Sequence, residues 1–289
     1  MEYLESFRFA SYDAEYGVRL GETRTCFDSM YPFFVLSKRG LEEITPGPLT
    51  ILYGSNGSGK STALHIMAEK LRLLRESAFN RSSFFDDYLA LCSYETLECI
   101  PPHSRIITSD DVFDYMLHVR ALNEGIDVRR EEVFREYYED RDNWNHPFQL
   151  SSMEDLDKLK RVNLARSKTL SKYTRRRLAP NVREYSNGES GFLYFTEKIQ
   201  EDGLYLLDEP ENSLSPSRQM ELSRFLQESV RYCGCQIIMA THSPYLLSME
   251  GAKIYDLDSV PATLRPWTQL PEVRAARDFF RLHEKDFEE

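Results

Sequence analysis

The 289-residue chain is expected to be an α/β protein in which a mainly helical lobe is let into the core. Three observations predict this. At 49–53 an apolar run enters a glycine-rich turn, after which Leu64, Met67, Leu71 and Leu74 recur at helical spacings of three and four. At 204–207 a buried-strand run is followed by a helix and then by another strand at 236–241. Between these two blocks, residues 76–185 are more polar, rich in aromatic and charged side chains, and read as mainly helical.

Taken in order, the first fifty residues alternate apolar runs with turn signals, so 3–9, 33–36 and 49–53 are expected as strands. A helix follows from Ser61. The middle region holds one short strand candidate, 105–108. After the strand at 204–207, Ser215 as N-cap and Pro216 in the first turn start a helix with Leu222, Phe225, Leu226 and Val230 on one face. A strand is expected at 253–257, and a final helix at 272–287 with Val273, Phe279, Phe280 and Leu282 on its apolar side. The expected division is a core lobe of about 1–75 and 185–257, a helical lobe of about 76–184, and a C-terminal helix of about 271–288. No internal repeat or low-complexity tract interrupts this order.

Composition narrows the function classes. Hydrophobic residues at 41 % and charged residues at 29 % describe an ordinary globular chain. A net charge of −11 argues against generic coating of nucleic acid. The start carries acids and no secretory leader core, and no window approaches the roughly 18 consecutive apolar residues of a membrane span. The five cysteines are odd in number and scattered, which is no disulfide framework, so a reducing cytoplasm is the expected compartment. Cys233 and Cys235 lack a second pair for zinc and read as two small thiols.

Three short segments carry chemistry. Gly54, Ser55, Asn56, Gly57, Ser58, Gly59, Lys60 and Ser61 form a complete G-x-x-x-x-G-K-S run between a strand and a helix. Glycines there let backbone amides surround phosphate oxygens, while Lys60 reaches the β- and γ-phosphates, the Ser61 hydroxyl ligates Mg²⁺, and Thr62 continues the binding turn. The run 204–207 ends in Asp208 and Glu209, one carboxylate to hold Mg²⁺ and one to polarise a water as general base. Taken alone, such a strand end is more often a pair of solvated acids. His242, after the strand at 236–241, is placed to sense a γ-phosphate, although a lone histidine there is ordinarily a packed or capping residue.

The order of these segments, with Ser186-Asn187-Gly188-Glu189-Ser190 standing before Asp208-Glu209-Pro210, resembles the ABC-type ATPase superfamily. Its wording, Asp208 to Leu214 and Ala240 to Pro244, is similar to the soluble branch containing RecF-like, overcoming-lysogenisation-defect and chromosome-maintenance ATPases, and above all to small stand-alone "AAA family" ATPases. The resemblance implies a P-loop NTPase core, Mg²⁺-dependent ATP hydrolysis with Lys60, Glu209 and His242 catalytic, and a head-to-tail homodimer. In that dimer Ser186 and Gly188 of one protomer touch the γ-phosphate held by Lys60 of the other. It also implies a separate effector protein, in DNA maintenance or defence.

The chain departs from that pattern in two places. Glu189 stands where transporters carry glutamine, and its side chain is expected to face away from phosphate. No Q-loop glutamine is evident: Ser109, Asp110 and Asp111 are the preferred substitutes, with a helix N-cap as the competing reading and Gln149 as the other candidate. Tyr31 and Phe33 precede the glycine-rich loop but read as core aromatics, so no adenine-stacking residue is assigned. Ten Lys/Arg and no Asp/Glu lie between Lys158 and Arg183, with the region Lys158 to Arg177 read first as a solvated face and second as a nucleic-acid surface. A transporter ATP-binding subunit is the alternative function; a nucleotide-binding scaffold with little turnover is a third.

Overall fold

The computed structural model describes residues 2–25, 27–142 and 187–287. Its strands are β1 (Leu4–Arg8), β2 (Glu43–Ile44), β3 (Leu49–Tyr53), β4 (Ser93–Thr96), β5 (Arg105–Thr108), β6 (Leu204–Asp208), β7 (Gln236–Ala240), β8 (Lys253–Asp256) and β9 (Thr263–Leu264). Its helices are α1 (Tyr12–Gly21), α2 (Lys60–Leu71), α3 (Phe85–Leu91), α4 (Ser109–Asp142), α5 (Asn187–Lys198), α6 (Pro216–Tyr232), α7 (Pro244–Leu247) and α8 (Pro271–Leu282). The chain is an α/β protein.

Every residue of β3, β6 and β7 is buried, which is the mark of parallel strands covered on both faces. They lie in a six-stranded sheet of order β5-β6-β7-β3-β8-β9, parallel except for the last strand. A second, antiparallel sheet has the order β2-β1-β4. Gln236 joins the two sheets. Its fully buried amide accepts from the Tyr3 and Leu4 backbone N–H groups, both at 2.8 Å, and donates to the Leu4 and Gly47 carbonyls at 3.0 and 3.3 Å. Aliphatic and aromatic side chains from β1, α2 and α3, with Phe33 and Leu36, make the core cluster.

The chain divides into two compact units, Met1–Asp114 with Ser186–Glu289, and Tyr115–Tyr185. The division falls at Asp114 rather than near residue 75, because β4 pairs with β1 and β5 pairs with β6, so both strands belong to the core unit. Sequence reading missed β4 because all four of its residues are exposed, leaving no apolar alternation to detect. Of the second unit, the described part is the run of α4 from Tyr115 to Asp142, with Arg129 paired to Glu132 at 2.5 Å one turn on. The basic region Lys158 to Arg177, Gln149 and Ser186 lie outside the described residues. Among the described residues no helix is long and apolar enough to cross a membrane. The expected apolar side of α8 is present, but Phe279, Phe280 and Leu282 are exposed.

Residues 33–36 are not a strand. They form turns leading into a 3-10 turn at Ser37–Arg39, and Phe34 has φ 60°. The cause is Glu15 on α1, which is wholly buried and accepts from the Phe34 N–H at 2.8 Å and the Ser37 hydroxyl at 2.5 Å. A side chain thus supplies the partner that a strand would need from a neighbouring ladder. Burial raises the Glu15 pKa, with the Ser37 and Phe34 hydrogen bonds opposing it. The folded state therefore holds the Glu15 proton more tightly than the unfolded chain, so the destabilisation is present above the folded pKa and disappears as pH falls toward 4.5. Glu15→Gln should accordingly raise stability more at pH 7.5 than at pH 4.5, measured by urea unfolding at both. A gain that is equal at the two pH values would contradict this account.

Candidate functional site

Strand β7 lies between β3 and β6, and all three run parallel. Ala240 is level with Leu52 on one side and Asp208 on the other, so the segments that follow these strands emerge together. That carboxyl edge is where open α/β sheets hold ligands. Residues distant in sequence, 54–62, 208–212 and 241–243, thereby share one site.

The glycine-rich loop is closed around its own lysine. Lys60 is buried, and its Nζ donates to the Gly54 carbonyl at 2.6 Å and the Ser55 carbonyl at 3.2 Å. Asp258 anchors the loop by accepting from the Ser55 N–H at 2.8 Å and the Ser55 hydroxyl at 2.7 Å. Ser55, Asn56 and Gly57 are exposed at the tip, whereas Ser58, Gly59 and Lys60 are buried. Ser58 packs against Gly54, where an added Cβ would lie 2.6 Å from its Oγ. Lys60, Ser61 and Thr62 form the first turn of α2, whose backbone N–H groups have no acceptor within the helix and suit an anion. The Thr62 hydroxyl lies 3.2 Å from the Tyr31 hydroxyl, which donates to it.

Gly59 has φ 100°, and a Cβ there would come within 2.8 Å of Leu36 Cδ2. Gly59→Ala combines a left-handed backbone with a core clash, so a loss of about 1–3 kcal/mol in unfolding free energy is expected. Chemical denaturation checks this, and an unchanged midpoint and slope would contradict it.

The carboxylates are unequal. Asp208 accepts from the Ser61 hydroxyl through Oδ1 at 2.9 Å, giving two hard oxygen ligands side by side. Its pKa is pushed up to about 6, chiefly by burial; the Ser61 hydrogen bond and Lys60 oppose that rise, while Glu209 adds to it. Glu209 sits just beyond the strand with φ 48° and ψ 54°, its N–H donating to the Ala240 carbonyl at 2.9 Å. Its Oε1 is 3.3 Å from His242 Nε2 and 4.0 Å from Lys60 Nζ, and its Oε2 accepts from the Asn212 amide at 2.9 Å. Glu211 holds the next segment in place, accepting from the Thr241 hydroxyl at 2.7 Å and the His242 N–H at 2.8 Å.

The structure thus brings Lys60, Ser61, Asp208, Glu209 and His242 together. Gly188 lies in the first turn of α5. Glu189 pairs with Arg218 at 3.2 Å, so a cation of α6 compensates its charge. Asp111 is buried; its Oδ2 accepts from the Thr108 N–H at 2.6 Å while the Thr108 hydroxyl accepts from the Asp111 N–H at 3.3 Å, a reciprocal cap of α4, and its Oδ1 accepts from the distant Ser77 N–H at 2.7 Å. Phe33 is a core residue, in edge contact with Tyr88 at 5.2 Å. Sequence reading missed Asp258 and His65, and it placed Glu211 and Asn212 in the motif run after Asp208 without giving either a contact. His65 lies one turn after Ser61 with its Nε2 3.9 Å from Asp208 Oδ2, and its pKa is lowered to about 4 by burial and then by Arg75. Only its i+4 spacing from Ser61 could have signalled it. Among the described residues no group of three or more His, Cys, Asp or Glu side chains could hold a metal. The Ser61–Asp208 oxygen pair fits Mg²⁺, which takes few protein ligands and completes its shell with phosphate and water.

A family model described as "AAA domain, putative AbiEii toxin, Type IV TA system" matches residues 93–248, more than half of the chain. No curated protein sequence matches. Among solved structures 186 chains match, including the Smc head domain with an extended coiled coil bound to the C-terminal domain of ScpA from Pyrococcus furiosus. That likeness has 13 % identity and a TM-score of 0.47, covering 98 % of this chain and 100 % of that one.

Proposed function

This chain belongs to the AAA domain family, and on that premise we propose that it binds and hydrolyses ATP with Mg²⁺ at the carboxyl edge of β3, β7 and β6. The observation that carries the proposal is the Glu209 carboxylate, held between His242 and Asn212 and facing the Lys60 ammonium. A merely structural strand-end acid has no need of a left-handed backbone, which is disfavoured for a residue with a side chain.

Lys60 exchanges the Gly54 and Ser55 carbonyls for phosphate oxygens, so triphosphate binding opens the closed loop. The free amides of the first turn of α2 hold the same phosphates. Ser61 and Asp208 hold Mg²⁺, which when bound neutralises charge developing on the phosphates. Glu209 accepts the proton of the attacking water, and His242 Nε2 orients that carboxylate. Glu211 and Asn212 keep both groups from drifting.

The second half of the site comes from another copy of the chain. Ser186, together with Gly188 in the first turn of α5, meets the γ-phosphate held by the partner protomer, and hydrolysis loosens the dimer. The neutralised charge of Glu189 supports that approach by an anion. The dimer then switches a separate effector. Light scattering of Glu209→Gln should detect dimers with MgATP and monomers with MgADP; monomers in both, with nucleotide bound, would refute the two-protomer site.

A further inference from the structure

His65 is used by nothing in the proposed reaction, yet it lies half-buried beside the cation ligands. Its ring stacks on Phe79 at 5.1 Å, and the Arg75 guanidinium also lies over the Phe79 ring, 4.1 Å from its centroid. Arg75 Nη2 lies 3.1 Å from His65 Nδ1. An arginine can only donate, so Nδ1 must be the acceptor, and the single proton of the neutral ring must sit on Nε2. A doubly protonated ring would set an N–H against the guanidinium, which this geometry opposes. The Nε2–H faces Asp208 Oδ2 at 3.9 Å, beyond hydrogen-bond length but within electrostatic reach. The other oxygen of Asp208 is committed to the Ser61 hydroxyl.

We propose that His65 is a positioning residue for the cation ligands: Arg75 fixes its tautomer, and its Nε2–H orients Asp208 so that Oδ1 stays beside Ser61. Arg75 is itself steadied by Glu69, whose Oε1 is 3.4 Å from its Nε, and by the face of Phe79. The side chain thus acts on the metal through a carboxylate, as outer partners of metal ligands commonly do. The inference rests on the reading of Ser61 and Asp208 as the Mg²⁺ ligands.

Two isosteres separate this role from packing. The amide nitrogen of glutamine reproduces Nε2, whereas asparagine reproduces only the Nδ1 position. Mn²⁺ titration of the ATP-loaded protein, followed by electron paramagnetic resonance, reads cation affinity without turnover. His65→Asn should weaken Mn²⁺ about 10-fold or more, and His65→Gln should restore most of it. In the same series, ¹⁵N-histidine NMR of the wild type should show Nε2 protonated and Nδ1 bare, and Arg75→Met should lose that single tautomer. Equal Mn²⁺ affinity in wild type and His65→Asn, or a proton on Nδ1 in the wild type, would overturn the proposal. If His65→Asn does not fold, the wild-type and Arg75→Met spectra decide alone. A wild type whose ATP binding ignores the cation would instead remove the Mg²⁺ reading itself, whereas cation-dependent wild type with an indifferent His65→Asn removes only His65.

Discussion

Lys60→Ala should abolish stabilisation by ATP while leaving the fold intact. The ammonium is the one buried cation of the loop, and its partners in the free protein are the loop's own Gly54 and Ser55 carbonyls. With the side chain gone, the triphosphate meets those carbonyl dipoles, with Glu209 4.0 Å from where the ammonium stood. Wild type at ATP 100-fold above its Kd should gain about 2.7 kcal/mol of unfolding free energy. Lys60→Ala should gain essentially none, and isothermal titration should show no saturable binding in the same range. Equal stabilisation of the two proteins would mean that nucleotide, if bound, sits elsewhere.

Glu209→Gln should separate binding from chemistry. Glutamine keeps the shape of the side chain and an oxygen for Asn212, but it cannot take a proton from water. Loss of a positioned general base costs about 10²–10⁴ in rate. Binding should persist or tighten, because one negative charge facing the phosphates is removed. The separation matters because Asp208, which is buried, and Glu209, which is half-exposed and held by His242 and Asn212, are adjacent in sequence but differ in environment. Asp208→Asn should weaken the cation, whereas Glu209→Gln should spare it.

Much of this site was legible in the sequence because its parts are local. The phosphate-loop spacing from Gly54 to Ser61 is contiguous, and the backbone it requires is written in three glycines and a following helix. The strands β3, β6 and β7 announced themselves as uninterrupted apolar runs, since they are buried on both faces. What escaped depends on partners far along the chain. Asp258 meets Ser55 only once β8 is laid beside β3, and neither residue carries a mark of that contact. Residues 33–36 have strand composition but are bent by the carboxylate of Glu15, on a helix that precedes them. β4 has no buried face to leave a pattern. His65 is at a half-buried helical position where an ordinary packing residue would satisfy the same periodicity, so its orientation toward Asp208 needed coordinates.

Single-turnover measurement of phosphate release, with bound nucleotide quantified in the same sample, tests the central claim most directly. Wild type loaded with MgATP should release phosphate from the bound pool, while Glu209→Gln, loaded to the same occupancy, should release it at least about 100-fold more slowly. Equal rates at equal occupancy would contradict the assignment of Glu209 as the base and, with it, the hydrolytic site at the carboxyl edge of β3, β7 and β6.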